Sequence, residues 1–426
     1  MEMDMDKWDK QLLSYIGDTG TKVPGLAALV YKNGREVYRF AAGCRRLDGK
    51  TLPMTADSRF RIASLSKMFT VFTLLQLAEA GRLSLEEDAS TYLGFFLRHP
   101  LYPEIPITVR MLAAHTSGLR DGRVYSIPPQ VSLQAFFTPG SDYWEGGRHF
   151  APAGQVPGQY FTYCNLNYGL LGTIIEKVTH TRFDQYQKAH ILKELATQAD
   201  YLPGNLSQAA FAQLGTVYQK RAADGTWQEK GPWRGTIDDY QGVQPAAETI
   251  ALQNPYAQDV KQSYSLDDYQ PGTNATPFSP QGGLRLSLEE LGHTLAMLLH
   301  DGRYQGQQVL SPAAIDALFT PVWQYDGHNG DSCNDTLLTY GLGTFFVSGS
   351  GPARCSRSRE MDLWGHTGQA FGLLSGLFLN RERKSGFAYI LNGEAIPEDE
   401  DPRSLGVYST NYRWEEQVMD VLCQLL

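Results

Sequence analysis

Four consecutive residues, Ser64-Leu65-Ser66-Lys67, set a hydroxyl and an amine three positions apart at the head of an apolar-rich stretch. In the first turn of a helix, residues i and i+3 share a face, so Ser64 Oγ and the Lys67 ammonium would be neighbours near the positive end of the helix dipole. A serine hydroxyl becomes a useful nucleophile when a neighbour takes its proton. A lysine whose pKa is lowered by burial or by another cation can do this. On spacing alone the plainer reading, a serine beside a helix N-cap with a solvated lysine, is the stronger one. Two further groups shift that balance. Tyr163-Cys164-Asn165 lies in a loop just before an amphipathic stretch, and Trp364-Gly365-His366-Thr367-Gly368-Gln369 stands directly ahead of a strand-like segment. Acyl transfer needs a nucleophile, a base within reach and a second group able to protonate the departing atom. Competing chemistries lose support because the chain has no G-x-S-x-G elbow, H-E-x-x-H, Walker loop or G-x-G-x-x-G. No histidine has metal-ligand spacing, so neither a metal nor a cofactor is expected.

In this order and setting the three motifs resemble the serine β-lactamase and penicillin-binding protein superfamily, closest to its class C β-lactamase, D-Ala-D-Ala carboxypeptidase and family VIII esterase branch. Leu112-Ala-Ala-His115-Thr116-Ser117-Gly118-Leu119, Ser279-Pro280-Gln281-Gly282-Gly283-Leu284 and Tyr340-Gly341-Leu342-Gly343 also resemble segments of that branch. The likeness covers about residues 20 to 395, and the stretch from about 201 to 275 matches nothing in it.

The resemblance implies that Ser64 is the acylated nucleophile, that Lys67 is its proton acceptor or the cation that poises one, and that Tyr163 passes a proton to the leaving group. Asn165, His366, Thr367, Gly368 and Gln369 would bind substrate. The backbone N–H groups of Ser64 and Gln369 would form the oxyanion hole, and the strand after Gly368 would add substrate backbone as an extra strand. Tyr163 as an anion would need Lys67, and His366 with it, to lower its pKa from about 10. His366 stands where many β-lactamases carry lysine and, with an ordinary pKa near ~6.5, supplies only a partial cation, which disfavours strong β-lactamase activity. Cys164 reads as a packed thiol and His115 as a loop-fixing hydrogen-bond partner.

The implied activity is that of a serine hydrolase cleaving a small-molecule ester, amide or D-amino-acid peptide through an acyl-enzyme. Esterase and D-peptidase, a D-aminopeptidase among the forms of the latter, are close competitors. A D-Ala-D-Ala carboxypeptidase, a weak β-lactamase and a non-catalytic sensing module are the alternatives.

The elements that must position these groups are legible in outline. A short helix over Lys7 to Ile16 is followed by a hairpin, Gly25 to Lys32 and Glu36 to Ala41, turning at Asn33-Gly34. Helices are expected over Ser64 to Ala80, Val109 to Ala114, Asn167 to Val178, Ser287 to Leu299 and Tyr412 to Leu425, and strands over Leu337 to Val347, Phe371 to Asn380 and Phe387 to Asn392. The aromatic-rich piece from Tyr201 to Pro277 reads as ordered loops. Strands at both ends with a helical middle predict an α/β (α+β) fold of the β-lactamase/transpeptidase type, an antiparallel sheet flanked by helices. Its α/β part would be discontinuous, 1–80 and 285–426, with a helical insert, 81–284, facing it across one cleft.

Composition narrows the partners. The 426 residues carry 37 Lys+Arg against 46 Asp+Glu, a net charge of −9, and no basic run long enough to track a phosphate backbone, so nucleic acid is not expected. No apolar stretch approaches the ~18 residues of a membrane helix. The acidic start lacks the pattern of a secretory signal, so the chain as written reads as cytosolic, although a chain trimmed of such a signal, secreted or periplasmic, would read the same. The five cysteines are odd in number and widely spaced. Cys333 and Cys355 bracket one strand-like segment, which leaves a disulfide between them open without asking for one. The oligomeric state is not legible.

Overall fold

The structure is a computed structural model that describes residues 5–47, 51–222, 224–253 and 261–426. Nine of its strands form one sheet: β1 (Gly25–Lys32), β2 (Arg35–Arg46), β3 (Leu52–Pro53), β4 (Trp323–Gln324), β5 (Thr339–Tyr340), β6 (Phe345–Val347), β7 (Leu363–Ala370), β8 (Leu373–Asn380) and β9 (Ser385–Leu391). The order is β4-β5-β6-β7-β8-β9-β1-β2-β3, antiparallel throughout. The β1–β2 hairpin turns at Asn33 and Gly34, both in the left-handed region at φ 53° and 75°, as that dipeptide predicts.

Strands β1, β8 and β9 are buried on both faces, which explains their nearly unbroken apolar runs. Along β1 the side chains alternate. Ala27 and Leu29 join a core that also holds the helix Leu288–Leu299, and Leu26, Ala28 and Val30 join a second core with Trp414, Val418 and Leu422 of the helix Arg413–Leu425. The N-terminal helix, Met5–Leu13, packs on Arg413–Leu425. Each fully buried side chain of this size contributes about 1.5–3 kcal/mol, so the central strands are the least replaceable part of the scaffold. None of the described helices is long and apolar enough to cross a membrane.

Beside the sheet, two helices run through the first core. Ser66–Glu79 is buried on all sides, and Leu166–Thr179 crosses it. Leu166–Thr179 also lies close to the loop at 276–280: a Cβ on Gly169 would stand 2.6 Å from Thr276 Cγ2, and one on Gly172 2.6 Å from Pro280 Cγ. Only glycine permits that approach, and the approach sets where Gln281 lies.

Several expectations need correction. Residues 201–277 are not all loop. Val217–Gln219 pairs with Arg234–Ile237 and, in parallel, with Gly393–Glu394, and Thr249–Gln253 pairs with Lys261–Ser265. These strands have no more than five residues, too few for a period-2 pattern to emerge. The single strand expected over Leu337 to Val347 is two, β5 and β6, broken at Gly341–Gly343, where Gly343 takes φ 64°. The His-Thr-Gly motif lies inside β7, not ahead of a strand. The first helix ends at Leu13 rather than at Ile16. All five cysteines are free, so there is no Cys333–Cys355 disulfide; Cys333 is exposed and Cys355 is buried beside Cys423.

Candidate active site

Ser64 sits in a 3-10 turn, Ala63–Leu65, that leads straight into the helix Ser66–Glu79. Ala63 before it takes φ 47°, a left-handed conformation that costs a non-glycine residue roughly 1 kcal/mol or more and tilts the serine out of the helix line. The serine is half-buried, while Lys67, one turn on, is completely enclosed. Lys67 Nζ has three acceptors: Ser64 Oγ at 3.0 Å, Asn165 Oδ1 at 2.9 Å and the Gln281 carbonyl at 3.1 Å. Burial lowers its pKa from 10.5 to about 7, against the pull of Asp121.

The segment carrying Gln281 is stitched to the helix Ser66–Glu79. Thr70 Oγ1 donates to the Pro280 carbonyl at 2.8 Å, and Ser66 Oγ accepts from Leu284 N–H at 3.1 Å. Gly282-Gly283-Leu284 stands out in the sequence, but Gln281 carries no signal there, because a backbone carbonyl leaves no trace in residue type.

Asn165 and Tyr163 come from the turn entering Leu166–Thr179. The Asp121 carboxylate accepts from Asn165 Nδ2 at 2.8 Å, Asn165 N–H at 3.0 Å and Leu166 N–H at 2.9 Å. It caps the helix where orphan N–H groups and the dipole favour an anion, and it turns Asn165 Oδ1 toward Lys67. Asp121 was missed in the sequence; its one signal is its place two residues after the His115-to-Leu119 segment. The Tyr163 hydroxyl is hydrogen-bonded to Ser64, and Lys67 Nζ lies 4.8 Å from its ring centroid. Burial raises the Tyr163 pKa above its ordinary 10.0, so the phenol is protonated in this state and not the anion entertained above.

His115 fixes the Tyr163 loop, as expected. Its Nδ1 accepts from Cys164 N–H at 3.1 Å, and its ring lies 4.3 Å from that of Tyr163. Burial holds its pKa well below 6.5. Cys164 is buried with a strongly raised pKa, the condition of an inert thiol.

His366 is not the partial cation expected from its type. Burial, then the charge of Lys67, lowers its pKa to about 3. Its Nδ1 contacts the Thr367 carbonyl, an acceptor only, so Nδ1 carries the proton and Nε2 accepts from Tyr340 Oη at 3.1 Å. His366 is therefore a neutral anchor.

Two positions on, a Cβ at Gly368 would stand 2.3 Å from the Ile62 carbonyl and 2.4 Å from Ser375 Oγ. That crossing brings β7 against the turn that carries Ser64, and Ser375 Oγ locks it by donating to Ile62 O at 2.9 Å. The side chain of Gln369 is engaged by Glu398 and Tyr412, away from Ser64. From His366 onward β7 pairs only with β8, because β6 stops opposite Gly365. Thr367 is half-buried on this open stretch. Among the described residues no cluster could hold a metal ion.

An antiparallel sheet whose locally open strand abuts a Ser-x-x-Lys helix, with a Tyr-x-Asn turn closing the third side, defines the β-lactamase-like class of proteins. The chain belongs to the beta-lactamase family, whose model matches residues 11–409. It is 31% identical over 176 residues to the protein flp of Staphylococcus aureus (strain MW2), a match covering 41% of this chain and only 34% of that protein's length. It is 24% identical over 339 residues to the N-acetylmuramyl-L-alanine amidase of Bacillus subtilis (strain 168), covering 73% of this chain and 69% of the amidase. Its fold is similar to that of a D-stereospecific amidohydrolase from Streptomyces sp., with a TM-score of 0.57 and 22% identity over 92% of this chain and 95% of the other.

Proposed function

We propose that this protein is a serine hydrolase that cleaves an ester or small amide bond, D-amino-acid amides included, through an acyl-enzyme on Ser64 with Lys67 as base. One observation carries the reading. Two of the three partners of Lys67 Nζ, Asn165 Oδ1 and the Gln281 carbonyl, can only accept hydrogen bonds. When the amine is neutral its two N–H groups go to those partners, and its lone pair is left facing Ser64 Oγ–H. Burial makes that neutral form abundant near pH 7.

The hydroxyl proton then passes to Lys67 as Oγ bonds to the substrate carbonyl carbon. The oxyanion is received by the N–H groups of Ser64 and Gln369, donors worth roughly 3–4 kcal/mol each in such sites. The protonated Tyr163 gives its proton to the leaving atom and is replenished from Lys67, and water attacking the ester returns Ser64. Asn165 holds the substrate's amide, and Thr367 and Gly368 offer an open strand edge. The sheet-bearing part and the helical insert, 81–284, form the two walls of this cleft.

The amidase and amidohydrolase among the similar proteins favour amide substrates, and the neutral His366 disfavours strong β-lactamase action. Intact-protein mass after fluorophosphonate treatment tests the reading. One adduct is expected, absent in Ser64→Ala, and no adduct with any acylating probe refutes it. Nitrophenyl esters against D-alanyl and other D-amino-acid amides separate esterase from D-peptidase.

A further inference from the structure

A cavity of about 380 Å³ opens beside the site, lined among others by Arg61, Tyr125, Tyr240, Gln281 and Phe371. Gln281 joins it to the catalytic group: its carbonyl binds Lys67, and its side chain donates to Ser279 Oγ at 2.7 Å, which also accepts from Arg61 Nη2 at 2.9 Å. Phe371 lies two residues beyond Gln369, just past the end of β7, whereas Tyr163 stands beside His366, earlier in that strand, with the two ring centroids 6.2 Å apart. The leaving group must lie by Tyr163 to be protonated, so the cavity faces the acyl half of the substrate.

The charge in this cavity is unlike that of the whole molecule. The chain carries −9, yet among the described lining residues are three arginines, Arg61, Arg123 and Arg285, and one carboxylate, Asp238. Asp238 is fully claimed by Arg285, at 2.8 and 3.1 Å. Asp121 nearby is saturated by its three N–H partners. Arg61 has no carboxylate partner among the described residues. It spends Nε on the Gly282 carbonyl at 2.7 Å and one Nη2 hydrogen on Ser279, which leaves both Nη1 donors and one on Nη2. The Phe371 ring lies 5.5 Å from its guanidinium carbon. Burial and the neighbouring Arg285 lower its pKa to about 10, so it still carries its charge at pH 7. A half-buried guanidinium with no carboxylate hydrogen-bonded to it is only partly satisfied, and a planar fork with free end-on donors matches a carboxylate.

We infer that Arg61 is the receptor for a carboxylate on the acyl half of the substrate, so that the enzyme prefers acyl groups derived from short dicarboxylic or acidic amino acids. The assignment to the acyl half rests on the proposed acyl-enzyme chemistry, whereas the anion site itself does not. Arg61 precedes Ser64 by three residues, at most about 10 Å of extended chain, a span suited to a four- or five-carbon diacid.

The test compares kcat/KM for the nitrophenyl hemiester of glutaric acid with that for nitrophenyl valerate, in wild type, Arg61→Gln and Arg61→Lys. The hemiester is expected to be preferred at least tenfold, mainly through KM, with that preference lost in Arg61→Gln and partly kept in Arg61→Lys. No preference in wild type, or the same preference in Arg61→Gln, overturns the inference. Calorimetric titration of Ser64→Ala with monomethyl glutarate separates the two claims and uses a variant with Arg61 intact. Binding there without any ester turnover by wild type sinks the hydrolase reading and keeps the anion site; turnover without binding or preference does the reverse.

Discussion

If Lys67 is the base, acylation tracks the fraction of neutral amine. At its ordinary pKa of 10.5 only about 0.03% of a lysine is neutral at pH 7, whereas at about 7 roughly half is. Lowering the pKa from 10.5 to about 7 is worth about 5 kcal/mol, which the enclosing helices supply by excluding water from Nζ. Single-turnover acylation by a fluorophosphonate or an activated ester, followed by stopped flow from pH 5 to 9, should rise about tenfold per unit below pH 7 and level off above 8. Tyr163→Phe should keep that limb for a substrate with a good leaving group, since the phenol is not the base, and should slow poor leaving groups more. Lys67→Met should abolish the limb along with acylation. A rate that is flat from pH 5 to 9, or a limb displaced above pH 9, would refute the assignment of the base.

Asp121→Ala leaves Asn165 and Leu166 N–H groups without their carboxylate and lets the Asn165 amide rotate. It should cost about 2–4 kcal/mol in denaturant unfolding and at least tenfold in kcat/KM, and an unchanged variant would show the cap to be idle. Gly368→Ala drives a methyl into the Ile62 carbonyl, so it should push β7 off the nucleophile turn and lower acylation about a hundredfold while the sheet still forms; near-normal rates would deny that crossing a role. Buried titratable groups give stability opposing pH dependences on the two sides of pH 4–5. Burial raises Glu176 and Glu415 to about 7, so their contribution, up to about 3 kcal/mol each, is whole below the unfolded value of ~4.3 and is lost as pH rises through 7. His366, lowered to about 3, loses its contribution as pH falls from 6.5 toward 3. Melting temperatures of wild type and Glu415→Gln from pH 4 to 7 check this: the variant should lose less stability than the wild type over that range, and parallel curves contradict it.

The groups with a chemical signature were legible in the sequence because their types and order are specific: Ser64, Lys67, Tyr163 and Asn165 converge as their motifs imply. So were the long elements, since a helix such as Leu288–Leu299 or a hairpin turning on Asn33-Gly34 has a local cause. What escaped depends on the fold. Histidine at position 366 says nothing of the enclosure that keeps it neutral, the Gln281 carbonyl has no residue-type signal, and Asp121 acquires its role only when the turn at Asn165 arrives beside it. Arg61 reads as one more surface cation until the loop at 279–282 closes over it.

The sheet that carries β7 also governs when the site can exist. Leu26 pairs with Leu391, and the bond from Ser375 to Ile62 spans 313 positions. Such closures are entropically costly and are gained late, which gives the chain a high contact order and a slow route to its native state. Ser64 leaves the ribosome some three hundred residues before Gln369, the second oxyanion donor proposed above. On the proposed chemistry Ser64 is therefore an ordinary serine during synthesis, and acylating power is expected only once the last strands dock, which leaves a half-folded chain chemically silent.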